Sequence, residues 1–194
     1  MSLATTRLLD AVNEHGDGLR VEFVRLGPRW GHRILGVERQ QTRSLLHSIE
    51  GDETDSFPPS PALQQIDLQQ LGDVTAAMLI GMAGRNHWSI CVEARPATRS
   101  ILWDVACRGE CEDGHFFGSS YEPFASWQGG SESRVIDVSN GYRYELQLPC
   151  GRVSSKLVSS QNSEQLLRIE LAPDPAAVTQ RWCYEFQQTK PAWP

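Results

Sequence analysis

The sequence has no uninterrupted apolar run of about 18 residues, so no transmembrane helix is expected. Its N-terminus, "MSLATTRLLDAVNEHG", lacks an apolar stretch set between a basic segment and a small-residue cleavage site, so no secretory signal is read there and a cytoplasmic location is expected. Paired cysteines are lacking too. The five present (Cys91, Cys107, Cys111, Cys150 and Cys183) are odd in number and widely spread, which suits reduced thiols better than a disulfide framework. Basic residues are outnumbered: the formal net charge is −6, which opposes nucleic acid and anionic membrane surfaces, since binding to either depends mainly on Lys and Arg. No repeat of fixed period is visible.

Phosphate-binding loops are also missing. The stretch "MLIGMAGRNHWSICVEARP", Met78 to Pro96, places Gly81 and Gly84 before a basic residue, yet it matches neither G-x-x-x-x-G-K-[ST] nor G-x-G-x-x-G. A period-two run follows Gly84 rather than a helix, so no helix N-terminus is available to meet a phosphate. The segment reads as a tight strand-to-strand turn that uses the torsional freedom of glycine. No G-x-S-x-G elbow is present, and no local pattern marks a catalytic cysteine.

What remains is a chain of 194 residues with 40% hydrophobic and 22% charged content, enough for one domain with a sizeable core. Short runs with β character dominate it. "NHWSICVEA" alternates cleanly, with Trp88, Ile90, Val92 and Ala94 on one face and His87, Ser89, Cys91 and Glu93 on the other. "SILWDVACR" repeats the pattern with Ile101, Trp103, Val105 and Cys107 opposite Leu102, Asp104, Ala106 and Arg108. Tyr142, Tyr144, Leu146 and Leu148 share a face after Asn140-Gly141, a strong hairpin dipeptide. "GPRWG" reads as a turn between two further runs. Roughly ten such runs at short spacing give an antiparallel β-barrel or a two-layer β-sandwich.

Three segments break the rhythm. Leu8, Leu9 and Val12 stand at near-helical spacing before Gly16, which predicts a short N-terminal helix within Leu3 to His15. "EGDETDSFPPSP", Glu50 to Pro61, is acidic and rich in Pro and Ser, the composition of an exposed loop inside a single domain spanning 1–194. Gly109 to Ser133 is irregular and carries Phe116, Phe117, Tyr121, Phe124 and Trp127 among Gly and Ser, which predicts a long aromatic loop that folds over the sheet, lines a ligand mouth or forms a contact.

Two groups of residues carry candidate chemistry. Cys107, Cys111 and His115 are spaced C-x3-C-x3-H, and thiolate with imidazole suits zinc, although a structural zinc site takes four ligands and no second Cys/His pair stands nearby. Cys107 also belongs to the apolar face of its run, where a thiol behaves as a small hydrophobe. The second group is the polar face formed by His87, Ser89, Glu93, Asp104 and Arg108, to which Trp127 adds aromatic area. In a concave site these groups fix the polar ends of a ligand, and His87 with Glu93 offers a titrating pair. On a wet face they are ordinary sheet decoration.

The reading is a binding module without a required cofactor. It holds an apolar or amphipathic small molecule in a barrel cavity, or a protein partner at the aromatic loop, and exposed strand edges allow a homo-oligomer. The alternative is a hydrolase-like or metal-assisted enzyme using His87 and Glu93, or Cys107, Cys111 and His115.

Overall fold

Side chains that alternate between apolar and polar bury one face only when the backbone is extended, and that alternation shapes nearly every element of this chain. The computed structural model describes residues 5–109, 116–124, 126–130, 133–137, 141–149, 151–159 and 165–189. Its elements are all strands: β1 (Thr6–Val12), β2 (Gly18–Leu26), β3 (Arg29–Glu38), β4 (Gln41–Ser48), β5 (Gln65–Leu71), β6 (Val74–Ala83), β7 (Asn86–Arg95) and β8 (Ser100–Arg108) in the first half. The second half holds β9 (Gly118–Pro123), β10 (Gln128–Gly129), β11 (Ser133–Asp137), β12 (Arg143–Gln147), β13 (Val153–Ser159), β14 (Gln165–Leu171) and β15 (Thr179–Thr189).

These strands form two antiparallel sheets. One has seven strands in the order β1, β2, β3, β4, β9, β14, β13, and the other has eight in the order β10, β11, β12, β15, β8, β7, β6, β5. The sheets face each other as a sandwich, with β1 against β6 and β7, and β2 against β8 and β15. Among the described residues no barrel is closed, since each sheet keeps two outermost strands. Trp88, Ile90, Val92 and Ala94 of β7 and Ile101, Trp103, Val105 and Cys107 of β8 all point into the core, as their alternation predicts. There Phe23 meets Trp103 from the opposite sheet with ring centroids 6.3 Å apart, and Trp103 stacks on Tyr184 at 5.8 Å. Burying a large side chain of this kind contributes roughly 1.5–3 kcal/mol.

The expected N-terminal helix is not present. Thr6–Val12 is β1, paired with β2 from Thr6↔Val24 to Val12↔Gly18. Leu9 and Ala11 are buried while Leu8 is 46% exposed, so the true period is two, and the adjacent pair Leu8-Leu9 conceals it. The aromatic segment is likewise not one long loop. β9 inserts between β4 and β14, and Phe117, Tyr121 and Trp127 are buried in the core, which leaves Phe124 exposed against the His47 ring.

Connections follow the turn chemistry. Gly27 and Pro28 join β2 to β3, and Gly84 and Arg85 join β6 to β7 with Ala83 paired to Asn86. Gly84 has φ +57°, a left-handed conformation that favours glycine, and a Cβ there would press on Ser56. The stretch after β4 is a loop, but its second half is anchored: Phe57 packs edge-on to Phe117 at 6.0 Å, and Ser60 Oγ donates to the Ser120 carbonyl at 3.1 Å.

Candidate functional site

At one end of the sandwich a two-residue turn, Arg39-Gln40, joins β3 to β4. Both residues have positive φ, +49° and +71°. This is the backbone of a type I′ hairpin turn, which favours Asn and Gly, and each non-glycine residue held there costs about 1 kcal/mol or more. The surrounding contacts hold it in place. Asp17 Oδ1 accepts the Arg39 N–H at 2.9 Å, and the Gly16 carbonyl accepts the Gln40 N–H at 3.0 Å.

Asp17 is itself fixed from both sheets. Asn13 Oδ1 accepts the Asp17 N–H at 3.0 Å, closing the β1–β2 connection around it, and Tyr142 Oη, leading into β12 of the other sheet, donates to Asp17 Oδ1 at 2.9 Å. Asp17 is only 2% exposed, so a buried carboxylate pins the strained turn to both layers. A second bonded chain runs beside it. Tyr144 Oη donates to Glu38 Oε1 at 2.9 Å, and Gln188 Nε2 donates to the Val37 carbonyl at 2.8 Å and to Tyr144 Oη at 3.2 Å. Burial, together with the Glu38 charge, raises the Tyr144 phenol above its ordinary range, so it remains a donor. Gly36 makes this possible, because any Cβ at that position would occupy the space of Tyr144 Oη.

Glu38, Arg39, Gln41 and Tyr142 line a depression of about 400 Å³ over this framework. They offer an anionic acceptor, a cation, an amide with both donors and acceptors, and an aromatic ring, all within one small opening.

The residues singled out from sequence lie elsewhere. His87, Ser89, Glu93, Asp104 and Arg108 share the outer face of the eight-stranded sheet, where His87 and Ser89 are exposed. They do not converge on one point. His87 and Glu93 are six residues apart on β7, about 20 Å along an extended strand. Arg95 Nη2 donates to Glu93 at 2.7 Å, and Arg181 grips Asp104 through Nε at 2.9 Å and a second contact through Nη2. Ser89 and Asp104 line a shallow depression of about 330 Å³ with Met78, Cys91 and Arg181, and His87 lines another of about 420 Å³ with Gln65, Ile80 and Met82. Trp127 is 4% exposed and packs edge-on to Phe186 at 6.2 Å, so it belongs to the core. Cys107 is 1% exposed on the core face of β8, whereas Cys111 and His115 lie outside the described residues. Among the described residues no group of three His, Cys, Asp or Glu side chains is arranged to hold a metal ion.

Between the sheets lies a polar chain that sequence reading did not single out. His32 Nε2 and Tyr121 Oη are 3.1 Å apart, Tyr121 Oη and Tyr184 Oη 2.8 Å, and Ser119 Oγ bonds Tyr184 Oη at 3.0 Å. Burial pushes the His32 imidazole down to about 3, so it is neutral. On the backbone of His32, Ser48 Oγ accepts the N–H at 2.8 Å and reaches the carbonyl at 3.0 Å while also touching Glu50 Oε1. One hydroxyl proton serves only one of those two acceptors. When it goes to the His32 carbonyl, Glu50 must supply the proton for its own bond, and burial raises the Glu50 carboxyl to about 7, against the opposing pull of Ser48 and Arg29.

No family model and none of the curated proteins matches the chain. Solved structures do. Heparan sulfate lyase HepC from Pedobacter heparinus aligns with a TM-score of 0.59 and 9% identity over 97% of this chain and 36% of that one. The α-N-acetylgalactosaminidase NagBb from Bifidobacterium bifidum, ligand free, aligns with a TM-score of 0.54 and 9% identity over 89% of this chain and 35% of that one. The likeness is one of fold, and the chain spans about a third of each.

Proposed function

We propose that this chain is a binding module that holds an uncharged, hydroxyl-rich small molecule, such as a sugar residue, in the pocket at the Arg39-Gln40 turn. The observation that carries the reading is the strained non-glycine turn, held by buried Asp17 beside an opening lined by Glu38, Arg39, Gln41 and Tyr142. Strain of this kind persists where surrounding structure over-determines it, and it gathers at ligand sites. Carboxylate, guanidinium and amide groups pair with the hydroxyls of a polyol. The net charge of −6 disfavours a polyanion in the same place. Both fold neighbours carry names of enzymes that act on sugar-containing substrates, which makes a glycan the first ligand class to try.

Calorimetric titration with a panel of neutral mono- and oligosaccharides tests the reading. Glu38→Gln and Gln41→Ala, each confirmed folded by circular dichroism, are expected to weaken binding by roughly tenfold or more, the effect of losing one bond of about 1.4 kcal/mol or greater. Binding that is untouched by both substitutions, or no binding across the panel, contradicts it.

A further inference from the structure

Among the described residues the eight-stranded sheet ends at β5, which pairs with β6 alone. Outermost strands present unpaired backbone groups, and proteins blunt them with Lys, Pro, bulges, inward charges or short length. The other edges are managed in these ways. β13 carries Lys156, ion-paired to Glu170 at 2.7 Å; β1 carries Arg7 and an Asp10 gripped by Arg20; β10 has only two residues. β5 has seven residues, Gln65–Leu71, without Lys, Arg or Pro, and its register with β6 runs unbroken from Gln65↔Ile80 to Leu71↔Val74. All of its residues except Ile66 are exposed, and Leu68 and Leu71 are 37% and 51% exposed.

We infer that β5 is a self-association edge, on which a second copy of this chain adds its own β5 antiparallel about a two-fold axis at Leu68. The sequence of the strand selects that occupant and register. Pairing about Leu68 sets Leu68 against Leu68, Ile66 against Gln70, and Asp67 against Gln69 of the second copy. Asp67 is the only charged residue of the strand, so this axis gives each carboxylate an amide partner, while an axis at Asp67 would oppose two like charges. Within one copy Gln69 Nε2 already donates to Asp67 Oδ2 at 2.8 Å, which places both on the same face of the strand. Across the axis the two pairs form a single ring of alternating amide and carboxylate groups. An isologous pairing of this kind closes at two copies and consumes both edges.

The test is native mass and sedimentation of the full chain from about 1 to 100 µM, a span in which an interface of modest area changes occupancy. A dimer that forms with concentration is expected. Leu68→Lys and Gln69→Asp, both on exposed side chains with thermal stability as the folding control, are expected to lower the dimer fraction by roughly tenfold at matched concentration, the second because it sets a carboxylate opposite Asp67. Leu68→Cys is expected to cross-link to itself with a short thiol reagent above the background of the native cysteines, and Gln70→Cys to remain at that background. A chain that stays monomeric at the highest concentration, or a dimer indifferent to all of these changes, overturns the inference.

Discussion

Two ionisable residues, buried His32 and half-buried Glu50, set opposite pH dependences. Glu50 has its carboxyl raised from 4.5 to about 7, so the folded chain binds its proton more tightly than the unfolded chain does, and stability is lost as pH rises through that window. His32 is lowered from 6.5 to about 3, so stability is lost as pH falls through its own window. The two slopes cancel where the windows overlap. Glu50→Gln keeps an N–H for Ser48 and removes one slope, so stability of this variant relative to wild type should grow by up to about 3 kcal/mol between pH 4.5 and 7, measured by urea denaturation. A difference that stays constant with pH would mean that Glu50 is ionised throughout. At the turn, Arg39→Gly relieves a left-handed conformation and should raise stability by about 0.5–1 kcal/mol while weakening ligand binding.

At the scale of elements, the sequence was informative wherever one face of a strand meets the core. β7 and β8 alternate without interruption, and Trp88 through Ala94 and Ile101 through Cys107 bury as their period requires. β1 was illegible because its exposed Leu8 stands beside its buried Leu9, and only pairing with β2 selects the extended form. The pocket was hidden for a related reason. Arg39-Gln40 carries none of the Asn or Gly that announces a type I′ turn, and the groups that hold it, Asp17 and Tyr142, are 125 positions apart in the chain. The polar face of His87, Ser89 and Asp104 was legible as a face, and the six-residue spacing already set His87 about 20 Å from Glu93 along an extended strand; alternation left open only whether that face lines a concavity or lies open to solvent. Gly81, in the glycine-containing stretch that matches no phosphate-loop pattern, has a packing role: a Cβ there would overlap the Ala62 carbonyl. Gly81→Ala should therefore cost more than about 2 kcal/mol, and Gly84→Ala, strained by its positive φ, about 1–2 kcal/mol, both readable as lowered denaturation midpoints.

For the whole molecule, two antiparallel layers enclose a core of Trp, Tyr and Phe, and the two proposed binding surfaces fall at an end and an edge of the sandwich. The end is where both sheets meet through Asp17, Tyr142 and Glu38, so a ligand there should raise the unfolding temperature logarithmically with its concentration, continuing to do so once the site is full. The edge at β5 lies on the eight-stranded sheet alone, so the proposed pairing there should leave ligand binding at the pocket unchanged. No helix among the described residues is long and apolar enough to cross a membrane.

The most direct test is a titration of isotope-labelled protein with neutral saccharides, followed amide by amide. Concentration-dependent shifts centred on Arg39, Gln40, Gln41 and Tyr142, reduced in Glu38→Gln, are the expected result. Shifts centred instead on His87, Ser89 and Asp104 of the outer face, or a spectrum that no saccharide perturbs, would contradict the assignment of the pocket.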